Sequence, residues 1–139
     1  MAGTITGTIT RIPTPDGRPK IVIIRLTCTA DSALATYPGT VINHLSGISD
    51  LDLRGMMIRS VKSIPGGIGP TDFSDVTIKD EDGIDLLYES GEDFVRNAVV
   101  ECTNFLFWEA LITGDITIAI TGNVVVSAVT TIVIELVGV

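Results

Sequence analysis

The chain is predicted to be an all-β protein, a β-sandwich with a jelly-roll-like arrangement of about eight strands. Two observations predict this fold class. The 139 residues include 19 Ile, 17 Thr and 14 Val against 10 Leu and 8 Ala, and side chains branched at Cβ fit a pleated strand better than a helix. Apolar segments with period-2 alternation are also separated by short runs rich in Gly, Pro and Asp, which is typical of strands joined by turns. An open barrel is the alternative architecture.

The first half of the chain supplies four predicted strands. Residues 3–12 alternate Thr with Ile or Gly, and the proline-rich stretch 13–19 is a turn signal. Residues 20–30 form the second strand, residues 34–42 a third that a Pro-Gly pair interrupts, and residues 53–64 the fourth. The start of the second strand is apolar on both faces, so we expect a neighbouring subunit or loop to cover its outer side. Its predicted inward residues are Val22, Ile24, Leu26 and Cys28.

The second half continues the same pattern. A Gly/Pro-rich loop at 65–72 leads to a strand at 73–80, and the only predicted helical turn lies around Glu92–Asn97. Strand character returns from residue 98, continues at 115–122, and after a tight turn at Gly122-Asn123 runs to the C-terminus. The predicted inward residues here are Val76, Ile78, Ile116, Ile118, Ile120, Ile132, Ile134 and Leu136.

Three aromatic residues are clustered near residue 106. Phe105 and Phe107 share one face of a period-2 segment and are predicted to lie in the core. Trp108 falls on the opposite face, where it could anchor a contact between subunits.

Length and charge limit the organisation and the partners. The chain is expected to form a single domain over residues 1–139, since it contains no linker, repeat or low-complexity segment. A net charge of −8 argues against nucleic acid or an anionic membrane as partner. No secretion signal is predicted at the N-terminus, and the apolar run near the C-terminus is interrupted by Glu135 and is shorter than the roughly 20 residues that span a bilayer. The mean hydropathy of +0.48 instead favours a surface that other subunits cover.

The acidic stretch at residues 80–85 is the sharpest candidate site. Asp80, Asp82 and Asp85 could form a loose calcium site, which would suit a calcium-dependent carbohydrate-binding sandwich. The spacing does not match an EF-hand loop, because Gly91 occupies the twelfth position where a bidentate Glu is required. The favoured interpretation is a turn at Asp82-Gly83 between two strands, with the carboxylates in water.

Nucleophilic catalysis finds little support in the sequence. His44 is the only histidine and has no nucleophile motif near it. Cys28 and Cys102 lie in apolar strand contexts and are predicted to be free thiols in a reducing compartment, although the sequence leaves a disulfide open. We therefore assign no catalytic, cofactor-binding or metal-binding residue and expect a protein that is not an enzyme.

Residues 58–137 resemble small virion proteins from the structural gene modules of tailed bacteriophages. The resemblance is carried by Pro70-Thr71-Asp72, by the stretch from Asp75 to Leu87, by Gly91 to Asn97 and by Gly114 to Asn123. It implies a structural virion protein, with a capsid decoration (cement) protein as first choice and a tail, neck or baseplate component as second. The expected partners are copies of the chain itself, in a homotrimer, and the major capsid protein or another virion protein. The expected location is the virion, after synthesis in the host cytoplasm.

Residues 1–19 are a candidate N-terminal arm. An extended segment with three prolines could grip a shell by adding a strand to it. On that hypothesis, deleting residues 2–12 abolishes capsid binding and leaves a folded oligomer.

Overall fold

The computed structural model describes residues 2–12, 21–71, 74–87, 95, 100–103 and 110–138, and for 100–103 and 110 it describes the backbone alone. Nine strands lie in these ranges. They are β1 (Thr4–Ile12), β2 (Ile21–Thr29), β3 (Thr40–Val41), β4 (Met56–Pro65), β5 (Asp75–Lys79), β6 (Val100–Thr103), β7 (Ala110–Leu111), β8 (Thr117–Thr121) and β9 (Val129–Gly138). A 3-10 turn at Ile42–His44 and the short helix α1 at Asp50–Leu53 lie between β3 and β4.

The strands form two antiparallel sheets. The large sheet has the order β1-β2-β9-β4-β6, with β7 also paired to β4, and the small sheet has the order β3-β8-β5. From β2 onward the chain crosses repeatedly between the sheets, so that β2 lies beside β9 and β3 beside β8. This nesting of early strands beside late ones is the jelly-roll arrangement. The predicted fold class is confirmed.

One hydrophobic cluster fills the space between the sheets. The alternation predicted for β2, β5, β8 and β9 is confirmed, because every second side chain of these strands is buried. Each fully buried aliphatic side chain stabilises the fold by roughly 1.5–3 kcal/mol. The predicted inward residues of the second strand and of the second half of the chain all belong to this cluster, and Ile24, Ile118, Ile132 and Ile134 are fully buried.

The predicted N-terminal arm is largely a strand of the large sheet. β1 pairs with β2 along its whole length, from Thr4 opposite Thr29 to Ile12 opposite Ile21. Ile5 is buried in the core. The arm prediction is therefore wrong for residues 4–12, because their alternating pattern gives them an apolar face to bury; residues 13–19 lie outside the described ranges.

Two further predictions differ from the structure, and the rest fall outside the residues that it describes. Of the predicted strand 34–42, only Thr40–Val41 is extended, because residues 31–36 close a loop in which the Asp31 amide donates to the Thr36 carbonyl. Helix α1 forms where a plain loop was expected, and Ser49 and Asp52 cap it reciprocally. The remaining predictions fall on residues that the structure does not describe: Gly91, the turn at Glu92–Asn97 apart from Val95, and Phe105, Phe107 and Trp108.

The two cysteines lie in different strands of the large sheet. Cys28 is a buried free thiol in β2, and burial raises its pKa to about 12, so it is a poor nucleophile. Cys102 lies in β6 with its backbone opposite Val61, and its side chain is among those not described. In the ranges given above, no helix has the length and apolar character that crossing a membrane requires.

Candidate functional site

The acidic stretch forms the turn after β5. The Asp80 carboxylate accepts hydrogen bonds from the backbone amides of Asp82 and Ile84, each at 2.9 Å. Gly83 takes a φ of +80°, which favours glycine, and Lys79 forms an isolated bridge with Asp85. The predicted turn is therefore present, but it is longer than the two-residue form that Asp82-Gly83 suggested.

Asp85 holds the other side of this turn. Its Oδ1 accepts hydrogen bonds from the backbone amides of Ile78, at 3.2 Å, and Leu87, at 3.0 Å. Oδ1 of Asp80 and Oδ1 of Asp85 thus each accept two backbone hydrogen bonds within the turn. Among the residues that the structure describes, no group of three or more His, Cys, Asp or Glu side chains could hold a metal ion.

This geometry predicts that the turn is structural and indifferent to calcium. Replacing Asp80 with Ala should lower the free energy of unfolding by about 1 kcal/mol, because two backbone amides lose their acceptor. Asp82→Ala, the matched control on the same turn, should change it by less than about 0.5 kcal/mol. Urea unfolding of both variants in millimolar calcium and in chelator checks the prediction. A stabilisation by calcium that Asp82→Ala removes would contradict it.

The end of the sandwich that carries this turn is acidic. The segments 42–55, 79–87 and 111–116 meet here. The buried side chain of Asn43 joins the first to the third, because it donates to the Gly114 carbonyl and to Asp50 and accepts from the Ile116 amide. The Thr113 hydroxyl donates to Glu81 at 3.3 Å and joins the second to the third. This acidic end carries seven carboxylates, namely Asp50, Asp52, Asp80, Glu81, Asp82, Asp85 and Asp115.

Ion pairs at the acidic end lie at its surface. His44 Nε2 lies 3.2 Å from Asp115 Oδ2, and both side chains are exposed, so the geometry is that of a surface pair and not of a catalytic dyad. The Arg54 hydrogen bond holds the pKa of Asp50 below its usual value. Burial raises the pKa of Asp52, but hydrogen bonds from Arg11 and Ser49 outweigh this effect and lower it overall.

The loops that the structure describes at the opposite end of the sandwich are largely apolar. Three adjacent loops meet here, and we call residues 31–39, 66–71 and 122–128 the apolar tip. Asp31 is their one charged residue. Four large aliphatic side chains of the tip are exposed: Leu34 at 73%, Ile68 at 56%, Val124 at 76% and Val126 at 47%. Exposed apolar side chains grouped in this way are typical of an interaction surface.

Asn123 holds the three loops of the tip together. Its Oδ1 accepts from the Thr71 amide at 3.0 Å and the Val125 amide at 3.1 Å. Its Nδ2 donates to the Ala35 carbonyl at 2.7 Å and the Val125 carbonyl at 3.0 Å. One side chain therefore links all three loops. The sequence pattern predicts only a tight turn at Gly122-Asn123; an Asn ahead of three consecutive valines was the available signal.

Further contacts fix the backbone of the tip. The Asp31 carboxylate accepts from the amides of Ala33 and Leu34, and these hydrogen bonds lower its pKa. The Ser127 amide donates to the Asp31 carbonyl at 3.3 Å. Ala35 and Ser127 have φ values of 61° and 55°, a region that residues other than glycine rarely adopt. Backbone held in this region indicates that the surrounding contacts determine the loop conformation.

The outward face of the large sheet is a second partly apolar surface. Ile21 and Ile23, the residues expected to be covered by a neighbouring subunit or loop, lie on this face and are partly exposed. Ile21 is opposite Val137 in β9, and Val137 is opposite Met57 in β4. An apolar row thus crosses the sheet near the acidic end.

Neither a protein-family model, nor a curated protein, nor a solved structure matches the chain. The geometry of these surfaces is therefore the basis for a functional proposal.

Proposed function

We propose that the protein is a structural component of a bacteriophage virion, a decoration protein that stabilises the head through contacts of its oligomer with the shell. The apolar tip is the observation that carries this proposal. It presents Leu34, Ile68 and Val124 to solvent on loops whose conformation is fixed, and such surfaces form protein contacts at low entropic cost. On this proposal the protein binds other virion components and does not catalyse a reaction. The resemblance of residues 58–137 to virion proteins supports the same role.

The fold is compatible with this role and with one rival. Jelly-roll sandwiches occur in viral capsid proteins and in lectins, so the fold alone does not decide between assembly and sugar binding. A calcium-dependent sugar site would have to use Asp80, Asp82 and Asp85. Since Oδ1 of Asp80 and Oδ1 of Asp85 are each already engaged by two backbone amides, assembly is the function that the geometry favours.

Purified phage particles from cells that make the protein provide the test. We expect the protein to co-sediment with the particles in a density gradient, and an antibody against it to label their heads in electron micrographs. Particles made without the protein should release DNA at a lower temperature, because they lack its contacts, and adding the purified protein should restore the temperature of release.

The outcomes separate the alternatives. Labelling confined to the tail or neck would replace the decoration role with the second choice. Absence of the protein from particles that carry their full set of other components would reject a virion role.

A further inference from the structure

We propose that the apolar tip is the surface through which copies of this chain bind one another. This inference deepens the proposed function and rests on it, because it names the partner of the same surface. The tip is the set of loops 31–39, 66–71 and 122–128 defined above.

On the described residues, the distribution of charge favours the tip over the acidic end as the surface where two copies meet. Two chains of net charge −8 repel each other. The seven carboxylates of the acidic end lie beyond the far ends of β2 and β9, a strand length of about 30 Å from the tip. That distance exceeds the screening length of about 8 Å at physiological salt. Two tips can therefore meet with little repulsion, whereas two acidic ends cannot.

The one charged residue of these loops, Asp31, has its charge partly compensated by its own backbone. An oxygen of Asp31 is already bonded to the amides of Ala33 and Leu34, at 2.7 and 2.8 Å. The tip also lacks the Lys, Arg, Trp and interfacial aromatic pattern by which proteins bind lipid surfaces, since Tyr37 is buried with its hydroxyl donating to the Ala128 carbonyl. These features favour an aliphatic protein surface over a membrane.

The size of the tip suits a stable contact. Its loops contain 22 residues, of which 18 are at least partly exposed, close to the roughly 20–30 residues that each side of a standard protein interface supplies. Since Asn123 bonds to all three loops, little loop entropy remains to be lost on binding. The contact should be apolar at its centre, so high salt should not weaken it.

Light scattering coupled to size exclusion tests the inference. The full chain should elute with a mass that is a multiple of 14.7 kDa, at low and at high salt. The double variant Leu34→Glu/Val124→Glu should weaken self-association by about 100-fold, because two aliphatic contacts are replaced by charges. The matched control is Leu51→Glu/Ile84→Glu, which adds the same two charges at exposed aliphatic positions of the acidic end. It should keep the mass of the unaltered protein.

Several results would overturn the inference. A monomer at micromolar concentrations, or a tip variant with unaltered mass, would show that copies do not meet at the tip. Flotation of monomers with phosphatidylcholine vesicles would assign the tip to lipid. If the unaltered chain is a monomer and the tip variant no longer binds phage particles, the tip contacts a shell protein. The proposed function would then still stand. If the tip variant becomes monomeric but the unaltered protein is absent from phage particles, the inference is confirmed and the virion role is rejected.

Discussion

Deleting residues 2–12 should unfold the protein rather than release an arm from it. The deletion removes β1, which pairs with β2 over nine residues, and with it the buried side chain of Ile5. It also uncovers Leu26, Leu45 and Ile48, which pack around Gly7 of β1. Burial of Ile5 alone stabilises by roughly 2 kcal/mol, and single domains have only about 5–15 kcal/mol in total. Far-UV circular dichroism and urea unfolding should show a chain that has lost most of its stability.

Two neighbouring point variants serve as controls for the deletion. Ile5→Ala should cost about 2–4 kcal/mol, because Ile5 faces the core. Thr6→Ala, on the opposite face of β1, should cost less than about 1 kcal/mol. A deletion variant that keeps the unfolding midpoint of the full chain would show that β1 is detachable.

The alternation of inward and outward side chains was predictable in strands whose inner face packs between the two sheets. In β2, β8 and β9 the inward residues repeat every second position, and the register with neighbouring strands fixes which face they occupy. The segment 34–42 was predicted to be a strand that a Pro-Gly pair interrupts. The Asp31 amide instead bonds to the Thr36 carbonyl and closes a loop, and the Tyr37 hydroxyl donates to the carbonyl of Ala128, 91 residues later in the chain. A local pattern does not reveal contacts of that separation.

The two ends of the sandwich were predictable to different degrees. The turn at residues 80–85 could be recognised because a Gly that takes positive φ and flanking Asp side chains act within a few residues. The apolar tip could not be recognised, since its members lie in loops up to 90 residues apart. Leu34, Ile68 and Val124 each resemble an isolated exposed side chain until the fold brings their loops together.

Asn123→Ala should destabilise the protein by about 3 kcal/mol and weaken self-association at the same time. The substitution removes the hydrogen bonds to Thr71, Ala35 and Val125, and several of these partners are screened from water. Loops that are no longer joined must be ordered on binding, which adds an entropic cost to the contact between copies. Urea unfolding gives the first effect, and light scattering over a dilution series gives the second.

Asn43→Ala is the matched control, because Asn43 joins the loops of the acidic end in the same manner. It should lower the free energy of unfolding by a similar amount and leave self-association unchanged under conditions where the variant is folded. If Asn43→Ala weakened self-association as much as Asn123→Ala, loss of overall stability and not order of the tip would control the contact between copies.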